Sequence, residues 1–355
     1  MTMVTSIAAP AFADAYGIAL YGTHYLDQGN ITVEVRGGQY YVNDVLDDDG
    51  PVIIKNHEDE SDTTSVSNTI TIYAEDGEAN VTLKDVDIVT NGEANKSGIT
   101  VKADKTKTAT ATVNVTLDNV TVDAREDASS EGATGGAGMT IQGNGVVNIE
   151  LDGKNELLAG DGHAGLEKNR TESVGSLNIN DSNEDGGSLT AIGGDGGAGI
   201  GGGKGDMGSG LYILNGTVNA YGKGGGAGIG GGDGAGAHMV GLNAGVPGVN
   251  DAYEPTVTVV GSEGAAGIGG GKGGRLTDAV LSSGTLTGTM ETLEYLQAHG
   301  AQTIVFTTSQ RTSSFQISDL LALADEGDVF YLTHTEANEP TLLVVTSDHT
   351  DLLEG

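Results

Sequence analysis

Three groups of residues in this sequence are of types that bind or react. Asp181, Asn183 and Asp185, followed by Gly186, are spaced like the first half of an oxygen-ligand calcium loop, in which hard oxygens at alternate positions wrap the ion. The twelfth position of such a loop is Ile192 rather than Glu, so a closing carboxylate has to come from Glu172 or a neighbouring segment. Tyr212, Tyr221 and Tyr253 fall outward by alternation or lie in loops, and one of Tyr40 and Tyr41 must face out; exposed rings of this kind grip sugar faces. The third group is the charged set. Five arginines, Arg36, Arg125, Arg170, Arg275 and Arg311, share no equivalent repeat position, which argues against a uronate lyase. The fifty Asp and Glu leave room for a hydrolytic carboxylate pair, so a polysaccharide-degrading enzyme stands as an alternative.

Other chemistry is excluded by detail. Before Lys204 and Lys272 the first glycine of a phosphate loop is replaced by Ala198 or Ala266, and a Gly follows each lysine instead of Ser or Thr. The seven histidines form no HxH or HExxH pair, and the chain has no cysteine for thiolate zinc or nucleophilic catalysis. A formal charge of −34 repels nucleic acid and anionic lipid, so neither is an expected partner, and no run near 18 apolar residues provides for membrane insertion.

The opening MTMVTSIAAPAFADA has an apolar run and then Ala11-Phe12-Ala13, which fits cleavage before Asp14 and points to an extracellular or cell-surface location. No Lys or Arg precedes Arg36, so residues 1–13 are expected to be only part of a signal peptide, and the other end of the chain to be cut short as well. Sixty glycines against four Phe and no Trp leave little with which to fill an ordinary core. Stacked small aliphatics suit this composition better.

The elements that must carry these side chains are visible as a repeat. GGAGIGGGKG at 196–205 returns as GGAGIGGGDG at 225–234 and GAAGIGGGKG at 264–273. A relaxed small-Gly-large pattern gives six anchors: Ile99, Met139, Leu166, Ile200, Ile229 and Ile268, preceded by Gly98, Gly138, Gly165, Gly199, Gly228 and Gly267. Their spacings of 40, 27, 34, 29 and 39 describe one unit with loops of varying length. Short alternating strands precede and follow each anchor, and VTLKDVDI at 81–88 matches VTLDNVTV at 115–122 in register. Three short strands cannot bury an apolar face alone, but stacked units can. The expected fold is therefore all-β, a right-handed parallel β-helix of about seven coils over residues 52–288. The six anchors should form one inward column, with the anchor glycines at tight or positive-φ turns. Residues 14–51 are expected to cap one end, and residues 289–355, read as mixed helix and strand, to form a small α/β cap or module at the other.

The strand, GGAGIGGG and strand pattern at 187–288 resembles the glycine-rich repeats of Gram-positive and gut bacterial surface proteins described as carbohydrate-binding-domain proteins. It is similar, more loosely, to a clostridial biomass-binding β-helix group. The first resemblance implies a non-catalytic surface module with host or plant glycans as partners, and the second adds plant polysaccharide binding with calcium. The runner-up is a structural spacer of a larger surface protein. No cofactor is required by any of these readings, and calcium is the one ion they suggest.

Overall fold

In the computed structural model the regular structure of the described residues is nearly all β, gathered into three ten-stranded sheets that are parallel through most of their width, and one separate antiparallel pair. The structure describes residues 22–48, 50–59, 61–105, 110–125, 135–183, 186–242, 255–262 and 264–273. Beyond these it describes 276–277, 280–281, 284–289, 294, 297, 303–307, 312–322, 329–334, 340–345 and 351–352.

Each repeat gives one strand to each sheet. Sheet 1 holds the anchors and joins Ile31–Arg36, Ile70–Ala74, Ile99–Ala103, Met139–Gln142, Leu166–Glu167, Ile200–Gly201, Ile229–Gly230 and Ile268–Gly269. Sheet 2 runs from Gly22–Tyr25 and Val52–Lys55 through Glu78–Lys84, Thr112–Asp118, Val146–Asp152, Ser176–Asn180 and Gly208–Ile213 to Ala237–Leu242 and the short strands Leu276–Thr277 and Val280–Leu281. Sheet 3 joins Asp87–Val89, Thr121–Ala124, Lys154–Ala159, Ser188–Asp195, Thr217–Lys223, Thr256–Val260 and Gly284–Thr289. From Ile70 to Thr289 the described strands fall in sheets 1, 2 and 3 in unbroken rotation.

The register explains why the anchors recur. Ile99, Met139, Leu166, Ile200, Ile229 and Ile268 are successive Cα partners in sheet 1, and the column extends backward through Ile70 to Ile31. All but Ile268, which is partly buried, lie in the core. Each buried aliphatic contributes about 1.5–3 kcal/mol, and stacking identical positions lets every one be covered by the next. Alternation does the same in the other sheets: Val113, Val115 and Leu117 are buried while Asn114 and Thr116 face out.

The anchor glycines work differently from the expectation. None of Gly98, Gly138, Gly165, Gly199, Gly228 and Gly267 has positive φ. They are needed because the backbone passes too close to the next strand for a side chain. A Cβ would lie 2.6 Å from Ile192 N at Gly165, 2.8 Å from Gly165 O at Gly138 and 2.7 Å from Gly267 O at Gly228. At Gly98 it would collide with Val122 Cγ1 and at Gly199 with Tyr221 N, whereas at Gly267 the nearest atom, Val259 Cγ2, is 3.3 Å away. Positive φ sits two residues further on, at Gly201, Gly230 and Gly269, with φ of 134°, 139° and 138°.

The corner from sheet 2 to sheet 3 is a tight left-handed turn in four of the repeats. Asp85, Asn119, Gly153 and Gly216 carry it with φ of 51°, 57°, 61° and 85°, and Asp, Asn and Gly are the residues that tolerate this region. Buried Asn155 braces one such corner, accepting Val120 N–H (2.8 Å) and donating to the carbonyls of Asp152 (3.0 Å) and Ser188 (3.1 Å).

Parallel pairing begins before the expected boundary at residue 52: Gly22–Tyr25 pairs with Val52–Lys55, and Ile31–Val35 with Ile70–Ala74. The reason is that Ile31, Val33 and Val35 carry the same inward alternation as Ile70, Ile72 and Ala74. What closes this end of sheet 1 is the antiparallel pair Gln39–Val42 and Val45–Asp47. At the other end Val329–His334 pairs antiparallel with Gly284–Thr289, and Pro340–Val345 adds to it, so part of the expected C-terminal module continues sheet 3. Thr303–Thr307 and Thr312–Gln316 form the separate antiparallel pair, followed by the helix Ile317–Leu321.

Candidate functional site

The most ordered outward surface lies on sheet 2. Asn80, Asn114, Asn148 and Asn178 are successive Cα partners, one per repeat, on the side opposite the buried Ala79, Val113, Val147 and Leu177. Their amides are linked in one direction. Asn114 Nδ2 donates to Asn80 Oδ1 (2.8 Å), Asn148 Nδ2 to Asn114 Oδ1 (2.7 Å) and Asn178 Nδ2 to Asn148 Oδ1 (2.8 Å). Asn114 Nδ2 also donates to Glu78 Oε1 (2.7 Å). A primary amide has two N–H donors, so after this pairing Asn148 and Asn178 each retain a second one, but Asn148 is buried between its neighbours and Asn178 is only partly so. The next position along the row is Tyr212, the register partner of Asn178, and burial pushes its phenol pKa up. Thr82 and Thr116 flank the row on one side, and Thr112 and Ser176 on the other.

Charges at the margin of this wall are engaged. Lys84 Nζ pairs with Asp118 Oδ2. Glu150 accepts from Ser182 N (2.6 Å), Ser182 Oγ (2.8 Å) and Asn183 N (3.3 Å); burial still pushes its pKa up, against the pull of these bonds. Asn183 Nδ2 donates to Asp152 Oδ1 (3.0 Å).

Two of the three suggested calcium residues, Asp181 and Asn183, are described, and each contacts a neighbouring repeat. Asp181 is buried and its backbone carbonyl accepts from Asn215 Nδ2 (2.9 Å), while Asn183 turns its amide hydrogens to Asp152. Glu172, the suggested closing carboxylate, precedes the strand Ser176–Asn180 and Asp181 follows it, so about 16 Å of strand separates them. Asp185 lies outside the described residues, and among the described residues no three His, Asp or Glu side chains gather as a metal site.

The four described candidate tyrosines do not share one wall. Tyr212 is in sheet 2 and Tyr221 in sheet 3, and the turn at Asn215–Gly216 between them directs the two rings to different walls. Tyr40 packs against the core, and its hydroxyl accepts Asn80 N–H (2.8 Å). Tyr41 stands beside Glu34, with the Arg36 guanidinium 4.1 Å from its ring centroid. Tyr253 lies outside the described residues.

Two features escaped sequence reasoning. The amide row was available in principle, because the 34-residue register of 81–88 with 115–122 also superimposes Asn80 on Asn114. Tyr73 was equally available from alternation in Ile70–Ala74. Its hydroxyl donates to Asp104 Oδ2 (2.9 Å), Lys102 Nζ lies 4.7 Å from its ring, and burial first, then Asp104, pushes its pKa up to about 12.

No helix among the described residues is long and apolar enough to cross a membrane. No protein-family model matches the chain, and no curated protein or solved structure matches it either.

Proposed function

We propose that this chain is a right-handed parallel β-helix of a bacterial surface that binds glycans without catalysis, through the outer wall of sheet 2. Rotation of the chain through three parallel sheets supports the winding, and right-handedness follows from the strong rule for parallel crossovers. The observation that carries the binding reading is the amide row Asn80, Asn114, Asn148 and Asn178 leading to Tyr212. It combines repeated, pre-oriented polar donors with an aromatic ring, the pairing by which sugar hydroxyls and faces are held. The small-x-small segment Ala11-Phe12-Ala13 supports export.

The non-catalytic part rests on where the cations are directed. Arg36 pairs with Glu34 (3.6 Å) and Asp44 (3.8 Å), Arg125 with Asp123 (2.6 Å), and Arg170 faces Met207 Sδ (3.4 Å). These three described arginines lie on separate segments, each committed to its own neighbour, and Arg275 and Arg311 lie outside the described residues.

A second reading, a rigid spacer, is favoured by sheet 1. There Tyr73, Lys102 and Asp104 bind one another across two repeats, and Arg36 covers Tyr41, so the wall's side chains join repeat to repeat. Retention of the purified chain on immobilised host and plant glycans separates the readings. The expected result is selective retention with no release of reducing or unsaturated ends; absence of retention on every glycan would leave the spacer reading in its place.

A further inference from the structure

We infer that the ligand of the sheet 2 wall is a neutral, extended glycan whose chain runs along the amide row, across the strands, without a bridging cation. This rests on the glycan-binding reading above and specifies its ligand and direction. Three observations carry it.

The first is charge. The centre of the wall is Asn, Thr and Ser, with the nearest carboxylates Glu78, Asp118, Glu150 and Asp152 bonded to Asn114, Lys84, Ser182 and Asn183. A polyanion would meet the field of a chain with net charge −34 and find no free row of cations opposite it among these residues. A neutral polyol meets amides and hydroxyls, and its own hydroxyls can donate to the flanking Glu78 and Glu150 without a clash of charge.

The second is direction. Asn114, Asn148 and Asn178 each donate to the amide of the preceding repeat, so these three point the same way in a row of four amides set one strand step, about 4.8 Å, apart. A ligand following the row meets a carboxamide at every step, whereas a ligand lying along a strand crosses the row once. An extended, equatorially linked polysaccharide advances by about one sugar per such step, which matches the row and not the strand. The amides are held in place by one another before any ligand arrives, so little ordering remains to be done on binding.

The third is termination. The row of donation ends at Asn178, and the following position is the half-buried ring of Tyr212. A sugar reaching the end of the row has a ring face to rest against.

The test is calorimetry of the full chain with neutral β-linked glucan, xylan, mannan and galactan oligosaccharides, from disaccharide to hexasaccharide, with oligogalacturonates as the acidic comparison. The expected result is binding of a neutral series, with affinity rising with length and levelling off once four amides are spanned, unchanged by chelator. Thr116→Arg, which blocks the row without breaking the amide bonds, should weaken it at least about tenfold, as should Asn148→Leu in a sample whose melting curve is cooperative. Neutral binding that Thr116→Arg leaves intact would overturn the placement while the glycan reading stands. Preference for oligogalacturonate, or loss of binding on chelation, would overturn the neutral, cation-free ligand. No binding of any series would overturn this inference together with the reading beneath it.

Discussion

Lys168 occupies an interior position that earlier repeats give to Val33, Ile72, Val101 and Ile141, and it is fully buried. Its Nζ donates to two backbone carbonyls, Ser209 O (2.7 Å) and Ser173 O (3.3 Å). Burial alone pulls its pKa down to about 8. Beside it on the outer side, Glu167 accepts from Ala164 N (3.0 Å), Asn169 Nδ2 (3.1 Å) and His163 Nδ1 (3.0 Å), and that carboxylate raises the His163 pKa. The two residues are thus shifted for opposite reasons, one by lack of a counter-charge and the other by possession of one. For Lys168 the folded pKa lies below the unfolded value of 10.5, so the unfolded chain binds more protons between the two and stability rises with pH across that window. The full span is about 3 kcal/mol, part of which the two carbonyl bonds return. Lys168→Met is expected to be more stable than the parent by about 1–3 kcal/mol at pH 7, with the difference shrinking as pH approaches 10.5. Urea unfolding of both proteins at several pH values measures this; a variant less stable at every pH would mean that the ammonium is a net stabiliser.

At the scale of the element, Lys168 marks a change in how sheet 1 is built. The parallel strands before it have four to six residues, from Ile31–Arg36 to Met139–Gln142, and those from Leu166–Glu167 onward have two. The position held by Thr71, Thr100 and Thr140 becomes Glu167 and then Gly201, Gly230 and Gly269, where a Cβ on Gly201 or Gly230 would run into the backbone of the next strand. Substituting Gly228 probes this close packing, since a Cβ there meets Gly267 O at 2.7 Å and Val260 N at 2.9 Å. Gly228→Val should cost at least about 1–3 kcal/mol, read as a lower melting temperature; an unchanged melt would mean that the neighbouring strand yields freely. Much of this architecture was legible. The six anchors, the alternation on either side and the strands Thr303–Thr307 and Val329–His334 follow from periodicity, which depends only on local spacing. The role of the anchor glycines was not, because a close approach depends on the strand arriving from the next repeat. The site was hidden for the same reason: Asn80 and Asn178 are 98 positions apart in sequence, and only the register of three intervening pairings makes them one row.

For the whole molecule the stacking that aligns like residues also aligns like charges. Asp118 and Asp152 are register partners in sheet 2, so acidic residues of adjacent repeats stand about one strand step apart. Local pairs such as Lys84 with Asp118 and Lys102 with Asp104 offset some of this, but sixteen Lys and Arg cannot neutralise fifty Asp and Glu. The repulsion is a property of the folded stack more than of the unfolded chain, where the same charges lie further apart. Screening should therefore stabilise the fold. The Debye length falls from about 30 Å at 0.01 M salt to about 8 Å at 0.15 M, a change from a range comparable with the stack to one that spans fewer than two strand steps. The melting temperature is expected to rise by several degrees over that interval of NaCl, most steeply at the low end, and to change little beyond it. Calorimetric melts in a buffer of fixed pH, with choline chloride as a second salt to separate screening from specific cation binding, measure the effect. A melting temperature that stays flat or falls with salt would mean that the local ion pairs outweigh the stacked like charges, because screening weakens both and only their balance sets the sign.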